Sequence, residues 1–220
     1  MSRDGILRKI DAANAGRGAG DIAAAAAALI DTPNSYRADF TGLSAFERFK
    51  AKATSETVTA TVEELNALED LPAAVASYLK AKNLGAEIAL QPRDSLTALD
   101  WAGIETVDQA QMNQPVAVTF ADAGIAETGS LVFRTASDAP VLLNFLPLHH
   151  LAVVRRSTIL PYMEDIFDRF GTSASDQRRS LNVITGTSGT ADIEAKNVRG
   201  AHGPRFMHIY SVMDYIFNII

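Results

Sequence analysis

The sequence predicts an α/β protein: a three-layer, mixed but mostly parallel sheet with helices on both faces, preceded by a helical N-terminal segment. Three observations carry that reading. Apolar runs of strand length recur between residues 56 and 212 and alternate with helical stretches, as in sheets built by crossover connections. The first 55 residues show helical spacing, and their long apolar run, Ile22 to Ile30, is six alanines framed by Ile and Leu. Two of the apolar runs end in clusters of Gly, Ser and Thr, the layout of a strand that opens into a binding loop. A chain of 220 residues is long enough for one α/β core with a helical attachment, so we divide it into 1–55 and 56–220.

In the N-terminal segment, Ile6, Leu7 and Ile10 share a helical face. Asp21 is a plausible N-cap for the alanine-rich helix that ends near Ile30, and Pro33-Asn34 breaks it. Leu43, Phe46 and Phe49 resume the stripe. Thr57 to Thr61 reads as a strand and Val62 to Asp70 as its helix. Pro72 to Lys82 is a second helix with Pro near its first turn, closed by Gly85. The segments 86–90, 116–120, 130–133, 141–143 and 151–154 then read as strands. The close succession from 116 to 154 points to an antiparallel portion. Ile159 to Phe170 reads as an amphipathic helix with Pro161 in its first turn, and 181–185 and 206–212 complete the strands. The apolar stretch Val212 to Ile220 is expected to dock on the core or on another subunit, which would make a homo-oligomer.

Composition excludes several classes. There are no cysteines, so a disulfide framework, a thiolate zinc site and a cysteine-ligated iron–sulfur cluster are all outside this chain's means. Absence of thiols and of an apolar leader fits a cytoplasmic location, and no run is long enough to span a bilayer. Net charge is −6 but uneven: residues 56–170 hold 7 basic and 16 acidic side chains, which argues against a nucleic-acid face there. The C-terminal part is locally basic around Arg199, His202 and Arg205, where an anionic small molecule can be held. Gly16 to Gly20 resembles a dinucleotide fingerprint only superficially, because no strand precedes it and the spacing is wrong. No Gly-x-Ser-x-Gly elbow and no spaced His/Glu metal motif occur.

Four motifs stand in a telling order: Ile125-Ala126-Glu127-Thr128-Gly129-Ser130; Leu146-Pro147-Leu148-His149-His150 with Val153-Val154; Gly186 to Glu194; and Gly200-Ala201-His202-Gly203-Pro204-Arg205. Together they resemble the LUD-domain family, which includes lactate utilization protein C, over most of residues 56–212. The resemblance implies a fold like that of sugar-phosphate isomerases and CoA transferases. It also implies a non-redox role in bacterial L-lactate oxidation to pyruvate, beside iron–sulfur partner proteins that carry the clusters. This sequence departs from the family at Thr187 and Gly189, where Pro and Arg are frequent. An Arg at 189 would contact an anion, and that contact is missing here.

Each candidate residue has a chemical and a structural reading. Glu127 can act as a general base or cap backbone N–H groups, or pair with Arg134. Ser188 and Thr190 can cap a helical turn or bind a carboxylate or phosphate through hydroxyls and exposed N–H groups. Asp192 is better placed as a favourable charge at a helix start than as a metal ligand. His202, just before Gly203-Pro204, is a proton-transfer candidate, and Arg205 can bind a carboxylate. His149 and His150 point to opposite faces, one expected to be buried and the other solvated. The expected site joins Glu127, Thr128 and Gly129 to Gly186, Ser188, Thr190 and Asp192, with His202 and Arg205 at its edge. Glu127 and His202 take the catalytic roles and no metal is expected. Two other classes stay open: a stand-alone enzyme for a phosphorylated, CoA-linked or folate-type molecule, and a purely structural partner.

Overall fold

A computed structural model of the chain describes residues 2–15, 18–32, 37–40, 42–111, 114–171, 173, 175–191 and 197–214. The chain divides into two compact units, Met1–Gly42 and Leu43–Ile220. In the first, helix α1 (Arg3–Asn14) is capped by Ser2, whose hydroxyl accepts the Gly5 N–H at 3.3 Å. Helix α2 (Ala19–Asp31) starts one turn earlier than its expected cap. Asp21 lies inside it and reaches back to accept the Gly18 N–H at 3.3 Å.

The second unit opens with α3 (Ala45–Ala53), started by a reciprocal box in which Ser44 accepts the Glu47 N–H and Glu47 accepts the Ser44 N–H. Phe49 and Ala53 on this helix are completely buried in the sheet core. The strands follow as β1 (Thr61–Leu65), β2 (Glu87–Leu90), β3 (Glu105–Val107), β4 (Val116–Phe120), β5 (Ala123–Ile125) and β6 (Ser130–Arg134). They continue as β7 (His149–Arg155), β8 (Ile159–Leu160), β9 (Leu181–Ile184), β10 (Gly189–Ala191), β11 (Asn197–Arg199) and β12 (Phe206–Val212). Helices α4 (Leu71–Ala81), α5 (Asp94–Thr97) and α6 (Asp165–Phe170) lie between them.

Six strands form one sheet in the order β1-β12-β7-β4-β2-β3, every pair parallel. The antiparallel pairs lie elsewhere: a four-stranded sheet β8-β5-β6-β9 and the β10-β11 hairpin. The parallel strands alternate between two buried faces, as the period of a strand requires. Val118, Leu151, Val153 and Tyr210 face a layer made by Leu71, Val75 and Leu79 of α4 and Leu96 of α5. Ala152, Val154, Met207 and Ile209 face α3 and the Leu131 and Phe133 side chains of the smaller sheet. That small sheet thus takes part of the place of a helical layer.

Four readings of the sequence are corrected. The first is the strand at 57–61: these residues form the turn after α3, and β1 begins only at Thr61. Residues 62–70 are not a helix. β1 covers their first half as an edge strand paired with His208–Val212, and a 3-10 turn at Leu68–Asp70 produces the helix-like Leu65/Leu68 spacing. Val141–Asn144 is a 3-10 turn after Pro140, not a strand, and drives Leu143 and Asn144 inward. Residues 159–170 split: Ile159-Leu160 pairs with Gly124-Ile125, Pro161 ends the pairing, and α6 begins only at Asp165.

The C-terminal ends of the parallel strands, where ligands usually sit in such sheets, are occupied by ion pairs. Asp122 accepts the Arg134 N–H at 2.8 Å and Arg93 Nη2 at 3.2 Å, and Arg155 pairs with Asp214 at 3.1 Å. Both Arg93 and Arg155 lie over the Phe120 ring, at 5.6 and 5.7 Å. Polar loops with open space gather at the opposite end.

Candidate functional site

Two glycine loops rest on one floor, the turn that follows α3. Gly129 has φ +71, and a Cβ there would stand 2.5 Å from the Ala53 backbone N. Gly186 has φ +70, and its Cβ would fall 1.8 Å from the Val58 carbonyl oxygen. Only glycine meets both demands, left-handed backbone and close approach. A ladder of hydroxyls joins the two loops: Thr128 Oγ1 is 2.7 Å from Ser130 Oγ, which is 2.6 Å from Thr185 Oγ1. The loops follow the C-terminal ends of β5 and β9 in the small sheet. They therefore lie at the N-terminal ends of β1, β7 and β12 in the parallel one.

Thr59, at the end of the floor, holds φ +62, a conformation that costs a β-branched residue energy and is kept only where surroundings enforce it. Its hydroxyl lies 2.7 Å from Thr187 Oγ1, and Arg199 Nη1 donates to both, at 2.5 and 2.6 Å. Beyond Thr187 the chain forms the β10-β11 hairpin rather than a helix, so Ser188 and Thr190 cap no helical turn. The Ser188 N–H donates to the Pro204 carbonyl at 2.9 Å and its carbonyl accepts from Gly200 N at 3.0 Å. A Cβ on Gly203 would sit 3.2 Å from Ser188 Oγ. Thr190 is half-buried on β10 opposite Val198. Asp192 and the tail beyond 214 lie outside the described residues.

The hairpin and the 200–205 turn separate two hollows. One, of about 530 Å³, is lined by Val198, Arg199, Arg205 and Phe206. Among the described residues no carboxylate lies within ion-pair distance of Arg199 or Arg205. Among the described residues, the acceptors of the Arg199 guanidinium are the Thr59 and Thr187 hydroxyls. A fixed positive charge beside two hydroxyls is suited to a carboxylate or phosphate. The other hollow, of about 580 Å³, is an apolar cleft between Gln114-Pro115, the 145–148 segment and the 200–203 turn, with exposed His202 on its wall.

Of the expected site residues, Gly186, Ser188, Thr190, His202 and Arg205 are thus brought together around the hairpin. Thr128 and Gly129 join them through the floor and the hydroxyl ladder. Glu127 is set apart: its carboxylate accepts the Met163 N–H at 3.3 Å, its own N–H donates to Pro161 O at 3.1 Å, and it lines neither hollow. Arg134, its alternative partner, is engaged with Asp122 at 3.8 Å and over Phe170 at 4.0 Å.

The sequence profile of the LUD domain matches residues 46–212, the stretch that builds both sheets and the hairpin. The chain belongs to the LUD-domain family. It is 33% identical over 141 residues to uncharacterized protein YkgG of Escherichia coli strain K12, covering 62% of this chain and 61% of that one. It is 31% identical over 119 residues to lactate utilization protein C of Bacillus subtilis strain 168, covering 51% and 49%. The chain therefore spans about half to three fifths of the length of these curated relatives. A crystal structure of a DUF162 family protein from Deinococcus radiodurans superposes with a TM-score of 0.57 at 21% identity, over 78% of this chain and 99% of the other, a likeness of fold.

Sequence reasoning about this LUD domain missed two things. The first is the Thr59–Thr187–Arg199 cluster. Arg199 belongs to the basic stretch that composition marks, but nothing in Thr59 announces a left-handed backbone. The second is an imidazole–phenol cluster on the α4 face. His149 Nδ1 is 3.0 Å from Tyr78 Oη, and its ring stacks on Phe206 at 4.5 Å. His208 Nδ1 is 2.6 Å from Thr61 Oγ1, with Nε2 3.3 Å from Glu63. Burial holds both imidazoles below the usual histidine range, aided at His149 by Lys82 and opposed at His208 by Glu63. Burial likewise pushes the Tyr78 and Tyr210 phenols up. The expectation that one of His149 and His150 is solvated is wrong. Both are buried, because β7 is an interior strand covered on each face.

Among the described residues, no group of three or more His, Asp or Glu side chains is arranged to hold a metal ion, and no helix is long and apolar enough to cross a membrane.

Proposed function

We propose that this LUD domain serves a bacterial L-lactate utilization system in the cytoplasm as a non-redox component that holds a small carboxylate. The observation that carries the reading is the hollow beside the hairpin. Arg199 and Arg205 line it with no carboxylate partner among the described residues, and Arg199 is braced by Thr59 and Thr187. Guanidinium groups that have no counter-ion among the described residues and face an open surface are poised to take one from a ligand. Several relatives are named lactate utilization protein C, which supplies the metabolic context. With no cysteine, the chain has no thiolate to ligate an iron–sulfur cluster, so electron transfer falls to iron–sulfur partner proteins.

Two measurements test this. Deleting the gene should abolish growth on L-lactate while growth on pyruvate persists, and Arg199→Met should fail to restore it. Thermal unfolding of the purified protein with L-lactate or pyruvate at ~100 times Kd should gain roughly 2.7 kcal/mol of stability. Stabilisation by a phosphorylated, CoA-linked or folate-type compound with none by lactate or pyruvate would replace this reading with a stand-alone enzyme for that compound.

A further inference from the structure

On the other side of the 200–205 turn, the apolar cleft continues into an uncovered apolar surface. Leu146 and Leu148 are 40% and 43% exposed, Phe145 39%, and Leu142 beside them 56%. Val198 and Phe206 extend the patch across the hairpin. The loops that present these side chains are tied by backbone: Arg205 N and Phe206 N both donate to Leu148 O, at 3.0 and 3.1 Å, and Leu148 N donates to Gln114 O at 3.1 Å. The surface is therefore pre-formed, and binding to it costs little ordering. Its charge is one-sided. Residues 139–163 and 197–213 contain no Asp or Glu, in a chain whose net charge is −6. Arg199, Arg205 and His202 stand along the patch.

We propose that this face docks an acidic, apolar segment of a partner protein. The apolar side chains lie both inside the cleft and well outside it, a spread that a small metabolite cannot cover and a polypeptide can. The basic rim, free of carboxylates among the described residues, selects a segment in which Asp or Glu flank Leu, Ile or Phe. A second copy of this chain is the poorer occupant, since a two-fold contact here would bring the same arginines toward each other. The proposal stands whether or not the neighbouring hollow holds a carboxylate.

The test is selection of a displayed random peptide library on the intact protein, with counter-selection on Leu146→Glu. Enriched peptides should combine apolar residues with Asp or Glu. A synthetic winner should bind at least ~10-fold more weakly to Leu146→Glu and to Arg205→Glu, and more weakly as salt rises. Leu146→Glu should melt with the wild type and keep its lactate response, which separates failure here from failure of the carboxylate site. If it melts lower, Leu148→Ser on the same rim replaces it. Enriched peptides without acidic residues would overturn the proposal, as would binding indifferent to both rim variants. So would sedimentation showing a dimer that the rim variant dissociates.

Discussion

Acidification should destabilise this protein through its buried histidines, and most sharply through His150. His150 on β7 is completely buried; its Nε2 lies 2.7 Å from Thr119 Oγ1, its Nδ1 has no partner, and the Phe133 ring is 5.6 Å away. The neutral tautomer with the proton on Nε2 leaves only a lone pair bare at Nδ1. Protonation would strand an N–H in an apolar core, so burial pushes the imidazole down from 6.5 to about 4. The unfolded chain then takes up a proton near its ordinary value, and the folded chain only near the lower one. Stability from the neutral ring is fully present above pH 6.5 and is lost as pH falls from 6.5 toward about 4. A separation of about 2.5 pH units at 1.36 kcal/mol each gives roughly 3 kcal/mol. The assay is urea unfolding of wild type and His150→Gln across that range, Gln keeping a hydrogen bond to Thr119 without titrating. His149 and His208 tilt both curves alike, so their difference isolates His150. Wild type should lose roughly 3 kcal/mol more than the variant; parallel curves would refute the reasoning.

Gly186→Ala should cost about 2–5 kcal/mol from the left-handed backbone and the collision with the Val58 carbonyl, read as a lower urea midpoint at unchanged slope. Asp122→Ala should cost about 1–2 kcal/mol, because it leaves the half-buried Arg134 N–H without its acceptor and Arg93 without its closest carboxylate. Glu127→Gln should keep its melting temperature, since a Gln carbonyl still accepts the Met163 N–H, and growth on lactate is the readout of any chemical role. His202→Asn, at an exposed position, should also melt like wild type; a drop in its melting temperature would mark His202 as structural.

The interior strands were legible in the sequence. Residues 116–120, 151–154 and 206–212 read as strands because each lies in a strand buried on both faces, and burial of that kind writes itself into composition. Edge and turn elements were not. β1 carries Glu63 and Glu64 at a sheet edge, a charged pattern that protects an edge and also suits a helix. The Gly129 and Gly186 loops were recognisable, since glycine marks positions that tolerate no other residue. Which end of the parallel sheet they reach depends on how the small sheet packs on the large one, and local sequence says nothing about that. The bond from Arg199 to Thr59 spans 140 residues and is equally invisible to pattern. Glu127 is conspicuous as an acid between small residues, but that its carboxylate accepts the Met163 N–H could not be read from local pattern.

The strand order has a consequence for synthesis. β12, the last strand of the large sheet to be made, sits between β1 and β7, and Thr61 meets His208 across 147 residues. Until residue 212 has left the ribosome, β1 has no neighbour in that sheet and one margin of β7 is an open row of N–H and C=O groups. Such pairing over long loops is slow, and an unpaired apolar margin invites other chains. A nascent chain arrested before 206 should therefore remain protease-sensitive around β1 and depend on chaperones, then become resistant in one step once β12 is available.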